Sequence, residues 1–274
     1  GTAVDTAVLQ RLADSHAALV KLHTRYTGDG GGDGRARAGM VIGTKQEAHR
    51  PPTYPYNPYP FPWIFHLPGD AGAVAEGLYE GTVRQMADAF RTIRRAELLA
   101  NDTYVPAEHD AFLEGFDRHA FTPEERAACP PLILVLDDAP ASLDALLGGA
   151  LPLKVVLLGA PALPGAAASE PALAALVHGR AFVLQAAAGD PGRLLKGVLR
   201  GLAHDGPALF HLYAPDPLHH GLRPEHVVDH ARRAVAARAF PAFTYDPALP
   251  GDLRHRLDLD GNPDAAPLAF ADWA

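Results

Sequence analysis

The sequence predicts an α/β fold: a mostly parallel sheet with helices on both faces. Three observations predict it. Short, continuous apolar runs recur after Pro131: 132–136 (LILVL), 153–158 (LKVVLL), 181–184 (AFVL), 208–213 (ALFHLY) and 242–245 (AFTY). Helical patterns separate them, near residues 142–147, 170–177, 192–203 and 224–239. Runs without polar alternation belong to strands buried on both faces, and strands alternating with helices make crossover units. Finally, 274 residues with 48% hydrophobic and 20% charged side chains suffice for a sizeable core.

Upstream elements follow in order. Residues 8–26 place Leu9, Leu12, Leu19 and Leu22 near helical spacing. Residues 27–39 (TGDGGGDGRARAG) read as a flexible glycine-rich loop. Residues 1–50 are therefore taken as a helix plus loop, and 51–274 as the main domain. The segment 51–62 (PPTYPYNPYPFP) interleaves prolines with aromatics, which forces an extended arm. That arm packs its rings on its own domain or a partner; a ligand for an aromatic groove is the weaker alternative. Over 73–100, Val74, Leu78, Val83, Met86, Phe90 and Ile93 mark the inner face of a long helix, and Arg84, Arg91, Arg94 and Arg95 its wet side. Pro106 opens a helix over 107–116, and Thr122-Pro123-Glu124-Glu125 combines a cap, a proline and an acidic first turn.

Composition excludes several function classes. A net charge of −8 and a pI near 5.9 argue against nucleic acid, which demands clustered positive charge. The single cysteine, Cys129, excludes an internal disulfide, a cysteine-rich zinc site and a cluster ligated by this chain alone. No apolar run reaches membrane-spanning length, and residues 1–9 carry no signal-peptide core, so no membrane partner and a cytoplasmic location are expected.

Several stretches, in order, carry a family resemblance. They are NPYPFPW at 57–63 before a long helix, CPP at 129–131 opening the first buried strand, and KVVLL at 154–158. AFVLQ at 181–185 precedes LLKGVLRGL at 194–202, and GPALFHLYAP at 206–215 precedes His220-Gly221-Leu222. ARAFPAFTYDP at 237–247 leads through LDLDGNP at 257–263 to Trp273. From about Asn57 onward the chain resembles the C-terminal thiamine-diphosphate-binding domain of pyruvate:ferredoxin (2-oxoacid:acceptor) oxidoreductases. The resemblance implies a thiamine-diphosphate-binding fold and a pocket at the carboxyl ends of the strands.

It also implies residues that this chain lacks. The family holds magnesium and diphosphate with a G-D-G motif after the first strand and an asparagine in a glycine-rich loop after the second. Here those positions read Leu136-Asp137-Asp138-Ala139-Pro140 and Gly159-Ala160-Pro161, continuing to Gly165. The amide beside cofactor and substrate is replaced by Phe65, and the cluster-ligating cysteine by Asp216. The vestigial pocket is thus Phe65, Asp137, Asp138, Gly159, Gly165 and Asp216. The expectation is a degenerate domain with no catalytic residue of its own, no thiamine diphosphate, magnesium or iron–sulfur cluster, and a scaffold or pseudo-subunit role. Its partners would be a second copy or other oxidoreductase domains. The alternatives are a domain that still binds thiamine diphosphate with magnesium and takes part in oxidative decarboxylation of a 2-oxoacid, and a module for another small anion.

Other tempting residues have plainer readings. The G-D-G triplets around Asp29 and Asp33 follow no apolar strand to aim them. Asp216, His219 and His220, with His211 nearby, form a weak metal candidate, against which stands a solvated loop with one bonded histidine. Asp137 and Asp138 suit capping of the helix near Ser142 better than acid–base pairing. Ser15, Ser142 and Ser169 lack G-x-S-x-G context, and Cys129 reads as a buried small residue.

Overall fold

The computed structural model describes residues 6–27, 38–44, 59, 61–66, 69–149, 151–159, 170–217, 221–265, 267–269 and 273. The chain divides into two compact units, one of residues 1–37 with 78–130 and one of 38–77 with 131–274.

The second unit is built on an eight-stranded sheet. Its strands are β1 (Gly39–Gly43), β2 (Trp63–Phe65), β3 (Leu132–Leu136), β4 (Lys154–Leu157), β5 (Phe182–Ala187), β6 (Ala208–Tyr213), β7 (Phe243–Tyr245) and β8 (Leu257–Asp258). The order is β2-β1-β3-β4-β6-β5-β7-β8. The first six in that order are parallel; β7 is antiparallel to β5, and β8 to β7. The apolar runs after Pro131 all form strands, and the parallel expectation holds except at the edge made by β7 and β8. Three strands lie outside the expected set: β1, β2 and β8.

Helices α5 (Leu143–Gly148), α6 (Pro171–His178), α7 (Pro191–Ala203), α8 (Val227–Ala236) and α9 (Leu253–Arg256) belong to this unit. A 3₁₀ turn at Pro224–His226 precedes α8, so the pattern expected over 224–239 divides in two. α6 links β4 to β5 in one direction across the sheet, and α7 links β5 back to β6 in the other. Right-handed crossovers therefore put them on opposite faces. The period-2 alternation of β5 and β6 matches. Phe182, Leu184, Ala186, Ala208 and Phe210 pack with Leu194, Val198 and Leu202 of α7. Ala187 and Tyr213 face the other way, onto Ala231 and Ala234 of α8, Phe240 and Trp273.

α7 sits very close to the sheet because its inward positions include Gly197 and Gly201. A Cβ at Gly201 would overlap the Phe210 ring and come within 2.8 Å of Phe182 Cδ1. At the same, amino end of the strands, buried Lys154 gives its ammonium to the carbonyls of His204 and Gly206 at 2.6 and 2.7 Å. Burial lowers its pKa to about 8.

The other unit is helical: α1 (Thr6–Thr27), most of α2 (Ala71–Ala100), α3 (Pro106–Glu114) and α4 (Pro123–Ala128). Thr122 and Glu125 close the capping box expected at the start of α4. The inner face of α2 differs from expectation. Ala71, Ala75, Tyr79, Val83, Met86, Ala87 and Ala89 are buried, while Leu78 and Ile93 are exposed. Arg94 is not on the wet side either: it forms a two-pronged pair with Glu125 and lies over the Phe116 ring.

Gly201→Ala should lower stability by about 1–3 kcal/mol through overpacking. Urea unfolding checks this, with the exposed Gly192→Ala expected to change the midpoint little.

Candidate functional site

Open α/β sheets bind ligands beyond the carboxyl ends of their strands, where neighbouring strands send their connections in opposite directions. Here that place lies between β1 and β3. The chain leaves β1 for β2 on one side and leaves β3 for β4 on the other. Thr44 follows β1 and Asp137 follows β3. Both are buried, at 1% and 6% exposure, and the Thr44 hydroxyl donates to Asp137 Oδ1 at 2.5 Å. Each strand is apolar up to its last residue, so these are the first polar side chains the chain can place there.

A second polar group follows from β5 and β6, where Gln185 and His211 are register partners. Gln185 Nε2 donates to the Pro241 carbonyl at 2.8 Å, which leaves its Oε1 toward His211 Nδ1 at 2.9 Å. A carbonyl only accepts, so Nδ1 carries the proton and Nε2 keeps its lone pair. Burial lowers the His211 pKa to about 4, so the ring is neutral at pH 7. Phe240 packs against it edge-on, with centroids 4.9 Å apart. Gly159, just beyond β4, leaves room on the other side: a Cβ there would stand 3.2 Å from His211 Nε2 and 3.7 Å from the Asp137 carbonyl oxygen. Tyr213 ends β6, and burial raises its pKa to about 12. The edge thus offers a hydroxyl–carboxylate pair and a neutral imidazole acceptor.

The residues expected in the pocket are placed unevenly. Asp137 and Gly159 lie at this edge. Asp138 is exposed, and Ser142, not either aspartate, occupies the cap position of α5. Phe65 ends β2 with 40% exposure. Asp216 is 2% exposed, which corrects the expectation of a solvated loop at that point: the chain buries the carboxylate directly after β6. Cys129 is half-buried, its thiol 3.4 Å from the Glu125 carbonyl. Gly165, His219, His220, Asp29, Asp33, Ser169 and most of 51–62 lie outside the described residues. Among the described residues, no three His, Cys, Asp or Glu side chains are grouped to share a metal ion, and no helix is long and apolar enough to cross a membrane.

Thr44 and Gln185 were not among the expected site residues. Gln185 had a legible signal, as a lone amide in the apolar run FVLQAA; Thr44 had none, because β1 itself was not expected.

No protein-family model matches the chain, and no curated protein matches it.

Because folded His211 takes a proton only near pH 4, the unfolded chain binds one first as pH falls below about 6.5. Stability is complete above that window and declines through it as pH falls, by on the order of 3 kcal/mol from this group. In His211→Gln the slope of unfolding free energy against pH between 6.5 and 4 should fall by about one proton, read by urea titration at each pH.

Proposed function

We propose that this chain is a degenerate thiamine-diphosphate-fold domain that acts as a scaffold or pseudo-subunit of a 2-oxoacid:acceptor oxidoreductase-like assembly, without catalysis of its own. The observation that carries the reading is Asp137. It stands where the resemblance requires a magnesium-binding carboxylate, yet it is buried and takes the Thr44 hydroxyl. Magnesium requires a near-octahedral set of oxygens open to the phosphates. The following residues are exposed Asp138, then Ala139, then Pro140, which has no N–H for a phosphate oxygen. This donor set does not fit a magnesium–diphosphate clamp.

The pseudo-subunit half of the reading has separate support. α7 exposes Leu195 and Leu199, one turn apart, at 63% and 58%. α6 exposes Leu173 and Val177 at 51% and 84%. Apolar side chains on sheet-covering helices favour a domain that is itself covered.

Titration calorimetry with thiamine diphosphate and magnesium should give no saturable heat. Micromolar binding that disappears in Asp137→Ala would overturn the reading in favour of a functional cofactor domain.

Sedimentation velocity tests the second half. The chain should self-associate at tens of micromolar, and the pair Leu195→Glu with Leu199→Glu should shift it to monomer. A strict monomer at every concentration counts against self-association.

A further inference from the structure

We propose that the cleft at the carboxyl end of β5 binds a small organic oxyanion, an apolar body bearing one carboxylate or phosphate, with Arg193 as its anchor. The cleft has a volume of about 400 Å³, within the usual range for small-molecule sites. Ala187, Val235, Ala236 and Ala242 supply apolar wall, and Arg193 and Arg232 supply charge. A mostly apolar pocket with a few convergent polar groups is the ordinary form of a metabolite site.

Arg193 makes the case for an anion. It lies in the first turn of α7, and its side chain is only 11% exposed. Its Nη2 forms a loose ion pair with Asp258 at 3.8 Å, too long for a hydrogen bond. Its Nη1 is buried with no hydrogen-bond partner among the described residues. Guanidinium does not discharge in a protein, so a buried, unanswered N–H remains a standing cost. A carboxylate or phosphate oxygen answers it with a charge-assisted bond. Arg232 is 61% exposed and already donates to the Gly189 carbonyl and Asp229, so it guards the mouth.

The other polar groups limit the ligand. Asn262 gives its amide protons to the carbonyls of Ala242 and Leu259 and accepts from the Ala242 N–H, so it holds the wall together. Asp190 caps α7 through the Arg193 N–H and adds opposing negative charge at the rim. That charge favours a single oxyanion over a polyanion such as a diphosphate. The site uses neither Thr44, Asp137 nor Gly159, so it stands or falls apart from the thiamine reading.

Calorimetric titration with benzoate and phenyl phosphate tests it, with benzamide as the uncharged analogue and inorganic phosphate as the bodiless anion. Saturable binding of at least one organic anion is expected, at least tenfold tighter than either control. The tighter of the two identifies carboxylate or phosphate as the source. Arg193→Met and Ala236→Phe, which fills the cleft, should each weaken binding tenfold or more, and the exposed Arg233→Gln should not. Thermal melting establishes that each variant folds; if Arg193→Met does not, Ala236→Phe decides. Absence of binding, equal binding of benzamide or inorganic phosphate, or retained binding in either folded cleft variant would overturn the proposal.

Discussion

The bond from Thr44 to Asp137 is the constraint around which the sheet unit is arranged. β1 and β3 are paired along their whole length, from Gly39 opposite Leu132 to Gly43 opposite Leu136. Immediately afterwards their chains part in opposite directions. Where a parallel pair ends, the ladder can no longer satisfy polar groups, and a side chain must take over. Asp137 is an expensive residue to bury there, because an isolated carboxylate loses its hydration. The Thr44 hydroxyl offsets part of that loss and fixes where the two strands end relative to each other. The same geometry that stabilises the edge holds the carboxylate in the interior, at 6% exposure.

What could be read from the sequence divides along physical lines. Strands buried on both faces announce themselves, because burial admits only apolar side chains over four to six residues. LILVL and ALFHLY became strands with their expected limits. β1 did not announce itself: GMVIG is bracketed by glycine, follows a glycine-rich stretch of sequence and holds only three large apolar residues. Its strand identity comes from its neighbours, since β2 and β3 pair with it on both sides. The face of α2 was misjudged for a related reason. Weighting large apolar residues pointed at Leu78 and Ile93, whereas close packing selected the alanines at 71, 75, 87 and 89.

The site was legible only where a polar residue interrupted an apolar run. Gln185 and His211 are such interruptions, and they answer each other across β5 and β6. Asp137 was visible as the first polar residue after LILVL, but its partner was not, because Thr44 lies 93 residues earlier in the chain. Asp216 shows the converse limit. A short polar loop rich in proline looks solvated in sequence, and only the three-dimensional packing reveals that its carboxylate is enclosed.

Buried Lys154 and half-buried Arg193 show how an interior charge distinguishes architecture from recognition. Lys154 has carbonyl acceptors from His204 and Gly206, and burial has already moved its pKa to about 8, so it can shed its charge at modest cost. Its electrostatics are closed within the chain. Arg193 differs. Its ion pair with Asp258 is loose, at 3.8 Å and beyond hydrogen-bond reach, and one buried N–H is unanswered among the described residues. A fold that needed only a filler at that point would be served as well by leucine or methionine, and better in energy. An arginine beside an apolar cleft, with a loose ion pair and one N–H unanswered among the described residues, suits an acceptor that arrives from outside. The Thr44 hydroxyl at the β1 and β3 edge is answered within the chain, whereas Arg193 Nη1 beside β5 is not among the described residues, and that asymmetry is the ground for proposing ligand recognition at the second location.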